Sequence, residues 1–92
     1  MKVILNDREY EVIKDYKEAF NKEDLDNLYT EFFKDYDYIL GDYAYSKLRL
    51  KGFCDKDNSL CNSINDYEGI DKYIKEECAY ECKYFILKKI EK

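Results

Sequence analysis

Residues 36–53 read YDYILGDYAYSKLRLKGF, and this stretch decides the fold. Tyr38, Ile39 and Leu40 form a short apolar run of the kind a buried strand carries. Gly41 to Ser46 makes an exposed aromatic turn. From Lys47 to Phe53 apolar and basic residues alternate strictly. Leu48 and Leu50 face one way, and Lys47, Arg49 and Lys51 the other, which is the pattern of a half-buried strand with a wet basic face.

Outward from this hairpin, other elements follow. Met1–Leu5 and Tyr10–Tyr16 read as two strands around a polar turn at Asn6–Glu9. Residues 21–35 predict a helix, because Leu25, Leu28, Tyr29, Phe32 and Phe33 recur at helical spacing as one apolar stripe. Asn21 suits the N-cap and Glu23 and Asp24 put negative charge on the first turn. Phe20 before the cap and Leu25 inside it have the spacing of a hydrophobic staple. Cys54–Asn62 is a polar loop. Ser63 then opens a second helix, with Asp66 three residues on and Tyr67, Ile70, Ile74 and Cys78 on one face. Gly69 loosens its first turns, since glycine costs a helix about 1 kcal/mol relative to alanine. Tyr84–Ile90 is the last strand. It is apolar on both parities, as in a central strand covered on both sides.

The order is β-β-α-β-β-α-β. The expectation is an α+β domain spanning residues 1–92, with a largely antiparallel sheet and two helices packed on one face. Ninety-two residues suffice for one core. Eleven Tyr and five Phe supply most of its bulk, so buried hydroxyls must find partners.

Composition removes several chemistries. The chain has no His, so Ser-His-Asp and Cys-His catalysis is closed to it. Its glycines are Gly41, Gly52 and Gly69, too scattered for a phosphate-cradling loop. The net charge is −5, with six basic and twelve acidic residues before Lys47 and ten basic and nine acidic from there on. Such a chain is poorly steered toward phosphate backbones or anionic lipid. The N-terminus MKVILNDREY lacks a signal peptide's apolar region, and no run approaches the length of a membrane span. A cytoplasmic address follows, where four cysteines are expected reduced. Their spacings, C-x6-C for Cys54 and Cys61 and C-x3-C for Cys78 and Cys82, are wider than zinc knuckles. Asp55-Lys56-Asp57-Asn58 starts like a calcium loop, but Leu60 stands where glycine is required.

Two stretches, residues 36–53 and CAYECKYFILKK at 78–89, resemble the YutD-like family of small proteins from Gram-positive bacteria. The similarity extends to the opening hairpin and first helix. It implies a cytosolic α+β domain and no particular reaction. Gly41, Asp42, Tyr45, Leu48, Arg49, Leu50, Gly52, Phe53, Cys78 and Cys82 match. Tyr43, Ala44 and Cys54 depart, standing where a larger aromatic, Gly and an aromatic are expected.

The surface with most chemistry is the strand-turn-strand. If one parity persists through the turn, Tyr43, Tyr45, Lys47, Arg49, Lys51 and Phe53 share a face. Asp42 either caps the turn or pairs with Arg49 across the hairpin. The reading is a non-enzymatic, cofactor-free cytosolic domain that binds a protein partner through Asp42, Tyr43, Tyr45, Lys47 and Arg49. One alternative is RNA or DNA binding on the same aromatic–basic ribbon, where rings stack on bases and cations hold phosphate. Another is a small thiol, redox or metal protein built on Cys78 and Cys82. The bland reading is a solvated strand with Lys and Arg stems laid over tyrosines.

Overall fold

A computed structural model describes residues 1–77 and 82–90. Strands β1 (Lys2–Leu5), β2 (Arg8–Tyr16), β3 (Tyr38–Ala44), β4 (Lys47–Phe53) and β5 (Tyr84–Lys89) form one antiparallel sheet in the order β1-β2-β5-β3-β4. Helices α1 (Lys22–Leu28) and α2 (Ile70–Glu77) pack against it. The expected α+β class, element order and antiparallel sheet all hold. β5, last in sequence, is the central strand. Its residues Tyr84, Phe85, Ile86 and Leu87 are all buried, as the two-parity apolar run implied.

That run also corrects the expected placement of the helices. They lie on opposite faces of the sheet, not on one. Ile39, Phe85 and Leu87 pack with Val3, Leu5, Tyr10, Leu25 of α1, Tyr29 and Phe33. Tyr38, Leu40, Phe53, Tyr84 and Ile86 pack with Ile70 of α2. Register pairs Ile39 with Leu87 and Leu40 with Ile86, so the two clusters alternate along the same strands. A central strand with apolar residues on both parities needs cover on both sides.

The first helix is shorter than its stripe predicts. Asn21 caps it as expected, accepting a hydrogen bond from the Asp24 N–H at 3.0 Å. It stops at Leu28, and Tyr29 is extended. Thr30 then caps a separate 3-10 turn, Glu31–Asp35, through its own hydroxyl. The break keeps Leu25, Tyr29 and Phe33 buried but turns Leu28 and Phe32 outward, with Phe32 67 % exposed. The second helix starts later than Ser63. Asp66 is the cap, a 3-10 turn covers Tyr67–Gly69, and α2 begins at Ile70. Cys78, expected on its apolar face, lies outside the described residues.

The tyrosine-rich core meets its polar demand. The Tyr10 and Tyr29 hydroxyls hydrogen-bond at 2.9 Å inside the α1-side cluster, and burial pushes the Tyr10 hydroxyl strongly up. On the other side Tyr38 stacks on Tyr67, with centroids 3.7 Å apart. Gly41 and Gly52 leave room for the rings of Phe85 and Tyr36; a Cβ at either would come within 2.3 Å of Phe85 Cζ or 2.5 Å of Tyr36 Cγ, closer than carbon atoms pack. No buried side-chain nitrogen or oxygen among the described residues lacks a partner.

Candidate functional site

The β3–β4 hairpin is closed by the two residues Tyr45 and Ser46, since Ala44 pairs with Lys47. Both have positive φ, 52° and 64°. A two-residue turn of this hand matches the twist of the strands, but it favours Asn and Gly. Tyr45 is fully exposed at the tip.

The two-residue turn decides which side chains share a face. Residues directly opposite one another project to the same side. Tyr38, Leu40, Asp42 and Ala44 therefore lie with Phe53, Lys51, Arg49 and Lys47 on the α2 face. Tyr43 lies with Leu48 and Leu50 on the α1 face. The six-residue ribbon expected from one unbroken parity is thus split. Lys47, Arg49, Lys51 and Phe53 share one side, Tyr43 stands on the other, and Tyr45 belongs to neither. The reversal of direction at a tight turn keeps cross-strand pairs on one face, so parity counted along the chain does not carry through it.

Each singled-out side chain then has a distinct place. The Asp42 carboxylate, 6 % exposed, receives Arg49 through two hydrogen bonds, Nε to Oδ1 at 3.1 Å and Nη2 to Oδ2 at 2.6 Å. Arg49 Nη2 also donates to the Glu77 carbonyl in the last turn of α2 at 3.3 Å, where a cation suits the unpaired carbonyls. This bond to Asp42 holds the Arg49 guanidinium above its ordinary pKa. The cross-hairpin pair expected of Asp42 is present, and it ties hairpin to helix. Tyr43 donates its hydroxyl to Asp24 of α1 at 2.7 Å, and Lys83 lies over its ring at 4.5 Å. Burial, then the Asp24 bond, pushes that hydroxyl up to about 12. Lys51 sits above Phe53 and Tyr73, 5.4 and 5.3 Å from their centroids. Lys47 and Tyr45 remain as exposed groups at the tip.

Two depressions flank β4. One, of about 360 Å³, runs between β4 and α2 and includes Lys51, Phe53, Ile64, Tyr73 and Glu77. The other, of about 260 Å³, lies on the α1 side and includes Phe32, Tyr36, Leu50, Gly52 and Ile64. Phe32 and Ile64, 67 % and 72 % exposed, were not singled out by sequence. Phe32 was masked by its place in the helical stripe. Ile64 carried no signal beyond being apolar within a polar loop.

The remaining candidates are quieter. Cys54 is buried and Cys61 half-buried, and both are free; desolvation raises both thiol pKa values. Cys82 is disulfide-bonded, so the expectation of four reduced thiols does not hold there. Among the described residues no three Cys, Asp or Glu side chains converge as metal ligands. Asn58 hydrogen-bonds to the Asp35 carbonyl and to Asp37, ordering the 55–58 segment as a turn. No described helix is long and apolar enough to cross a membrane.

A five-stranded antiparallel sheet with one helix on each face, and a tyrosine-tipped hairpin at its edge, defines a small α+β class of domain. The match to known proteins is specific. The family model "Putative antitoxin YutD-like" fits residues 4–88. The chain belongs to the YutD-like family. It is 38 % identical over 90 residues to "Putative antitoxin YutD" of Bacillus subtilis (strain 168), covering 98 % of this chain and 99 % of that protein. The solution NMR structure of protein yutD from B. subtilis superposes with a TM-score of 0.82 at 37 % identity, covering all of this chain and 84 % of that one.

Proposed function

We propose that this domain is a non-enzymatic, protein-binding accessory factor whose contact surface is the β3–β4 hairpin. The observation that carries the reading is Tyr45: a bulky ring, fully exposed, at a turn position with φ of 52° that costs a non-glycine residue about 1 kcal/mol or more. The core does not use this ring. Tyr45 and Lys47 are the contact residues. Asp42 and Arg49 brace the hairpin against α2, and Tyr43 braces it against α1. The word antitoxin in the relative's name agrees with a protein as the partner.

The geometry weighs against a single-stranded nucleic-acid platform, which needs rings and cations on one face. Here Tyr43 is on the α1 side, and Arg49 and Lys51 are engaged by Asp42, Phe53 and Tyr73.

The test is affinity capture from native lysate, with and without nuclease, beside Tyr45→Ala and Lys47→Glu. Both sites are exposed, so the fold is preserved. A protein that survives nuclease and is lost with either variant is the expected result. Capture that needs nucleic acid, or that ignores both variants, refutes the reading. Arg49→Glu is unsuited, because it would set a second carboxylate against Asp42.

A further inference from the structure

β4 is an edge strand, and among the described residues part of its outer side has no hydrogen-bonded neighbour. The Tyr43 N–H donates to the Lys83 carbonyl, away from β4. Tyr43–Leu48 is therefore a non-hydrogen-bonded pair, and in such a pair both residues turn their N–H and C=O groups away from each other. With a period of two, Leu48, Leu50, Gly52 and Cys54 present backbone groups to the outside of the sheet. At Cys54 the chain satisfies them itself. Its N–H donates to the Asn65 carbonyl at 2.8 Å and its carbonyl accepts from the Tyr67 N–H at 2.9 Å, an isolated parallel bridge to Asp66. Gly52 is buried beneath Tyr36. At Leu48 and Leu50, no hydrogen bond from the described residues reaches the outward groups.

The side chains along this open stretch are sorted by sign and polarity. Lys47, Arg49 and Lys51 lie on the α2 side; Asp42 on β3 neutralises Arg49, while Lys47 and Lys51 have no carboxylate opposite them in the hairpin, facing Ala44 and Leu40. Leu48 and Leu50 lie on the α1 side, half-buried, beside the exposed Phe32 and Ile64. A second, antiparallel copy of β4 would set Lys47 against Lys51 at both ends of the pairing, which directly opposed like charges disfavour. A strand with carboxylates on that parity is attracted instead.

We propose that the partner adds an extended segment as a further strand along residues 47–51, with acidic and apolar residues in alternation. Its carboxylates face Lys47 and Lys51, the two β4 cations that flank the Arg49–Asp42 pair. Its apolar side chains cover Leu48 and Leu50 and reach the Phe32–Ile64 depression. Main-chain bonds to Leu48 and Leu50 supply affinity, and the alternation supplies selectivity. This rests on reading the β3–β4 hairpin as a partner surface and adds the binding mode and the partner's chemistry.

The experiment titrates ¹⁵N-labelled protein with a short peptide of alternating Glu and Val. Controls are the same peptide N-methylated on alternate amides, a Lys–Val analogue, and oligothymidylate. The Glu–Val peptide is expected to shift the β4 amides and slow exchange at Leu48 and Leu50. The methylated twin is expected to bind at least about tenfold more weakly, from two lost backbone bonds. The Lys–Val peptide should leave β4 unmoved, and Lys47→Glu with Lys51→Glu should reverse the preference. Equal binding of the methylated twin, shifts away from β4, no shifts at millimolar peptide, or oligothymidylate alone perturbing β4 each overturns the proposal. The two readings separate cleanly. A lysate partner lost with Tyr45→Ala, with the peptide leaving Leu48 and Leu50 untouched, sinks strand addition and keeps the hairpin surface. Peptide binding with the strand signature, with no partner lost on changing Tyr45 or Lys47, does the reverse.

Discussion

The two hairpins of this sheet close alike and are braced differently. Each closes with two residues of positive φ, Asn6–Asp7 between β1 and β2 and Tyr45–Ser46 between β3 and β4. Each has an Arg–carboxylate pair nearby, Arg8–Glu31 and Arg49–Asp42. The first turn carries residues that tolerate the left-handed region, and its pair is open to solvent. The second carries residues that tolerate it poorly, and its pair closes over a nearly buried carboxylate. The first hairpin is locally consistent. The second keeps an ill-suited tip on a strongly braced base, which is the distribution expected where a surface residue serves something other than folding.

Four measurements would break or sharpen that contrast. The largest effect is expected from Arg49→Met. It leaves the buried Asp42 carboxylate without its guanidinium and should cost about 2 kcal/mol in urea unfolding, less than a fully buried pair because half of the Arg49 side chain meets solvent. An unchanged midpoint would mean that the brace is ornamental. Next is the double change Tyr45→Asn with Ser46→Gly, which supplies the residues this turn prefers. A gain of about 1 kcal/mol with loss of partner capture is expected. A loss of stability would show that the tyrosine belongs to the fold.

Arg8→Met is expected to be nearly silent in the same unfolding series, because its pair is exposed and screened. A cost equal to that of Arg49→Met would erase the distinction between the hairpins. The smallest signal is the acid titration of Glu31. Hydrogen bonds from Asn6, then Arg8, hold its carboxyl below the ordinary 4.5. A depressed folded pKa means that its stabilising contribution is present above the unfolded value and is lost as pH falls through the folded one. NMR titration should place Glu31 below 4.5, and Asn6→Ala should return it upward. A Glu31 that titrates at or above its ordinary value would remove that tie from the first hairpin.

Much of this fold was legible from local pattern. The alternation at 47–53 marked β4 and correctly assigned Leu48 and Leu50 to the core side. The two-parity run at 84–87 marked β5 as central, and Asn21 marked a helix start. What pattern missed was set by geometry between elements. The same 84–87 run called for cover on both faces, yet the helices were assigned to one. The helix predicted over 21–35 breaks because Tyr29 leaves helical geometry and Thr30 caps anew, which periodicity does not register. For the candidate site, Asp42–Arg49 pairing was readable from hairpin register, while the ribbon was not. Tyr43 and Lys47 look equivalent by counting, and the two-residue turn puts them on opposite faces.

The strand order has a consequence for biosynthesis. The sheet is two hairpins, residues 2–16 and 38–53, with β5 paired to both β2 and β3. Residues 84–89 emerge from the ribosome last of all the strands, yet they sit in the middle. Until they arrive, Leu40 and Ile39 lack their cross-strand partners Ile86 and Leu87, and both cores stay open. Closure therefore waits on nearly the whole chain, and the nascent polypeptide carries two separate hairpins with uncovered aromatic faces. A partner that recognises the β3–β4 hairpin would meet its target before the domain itself is complete.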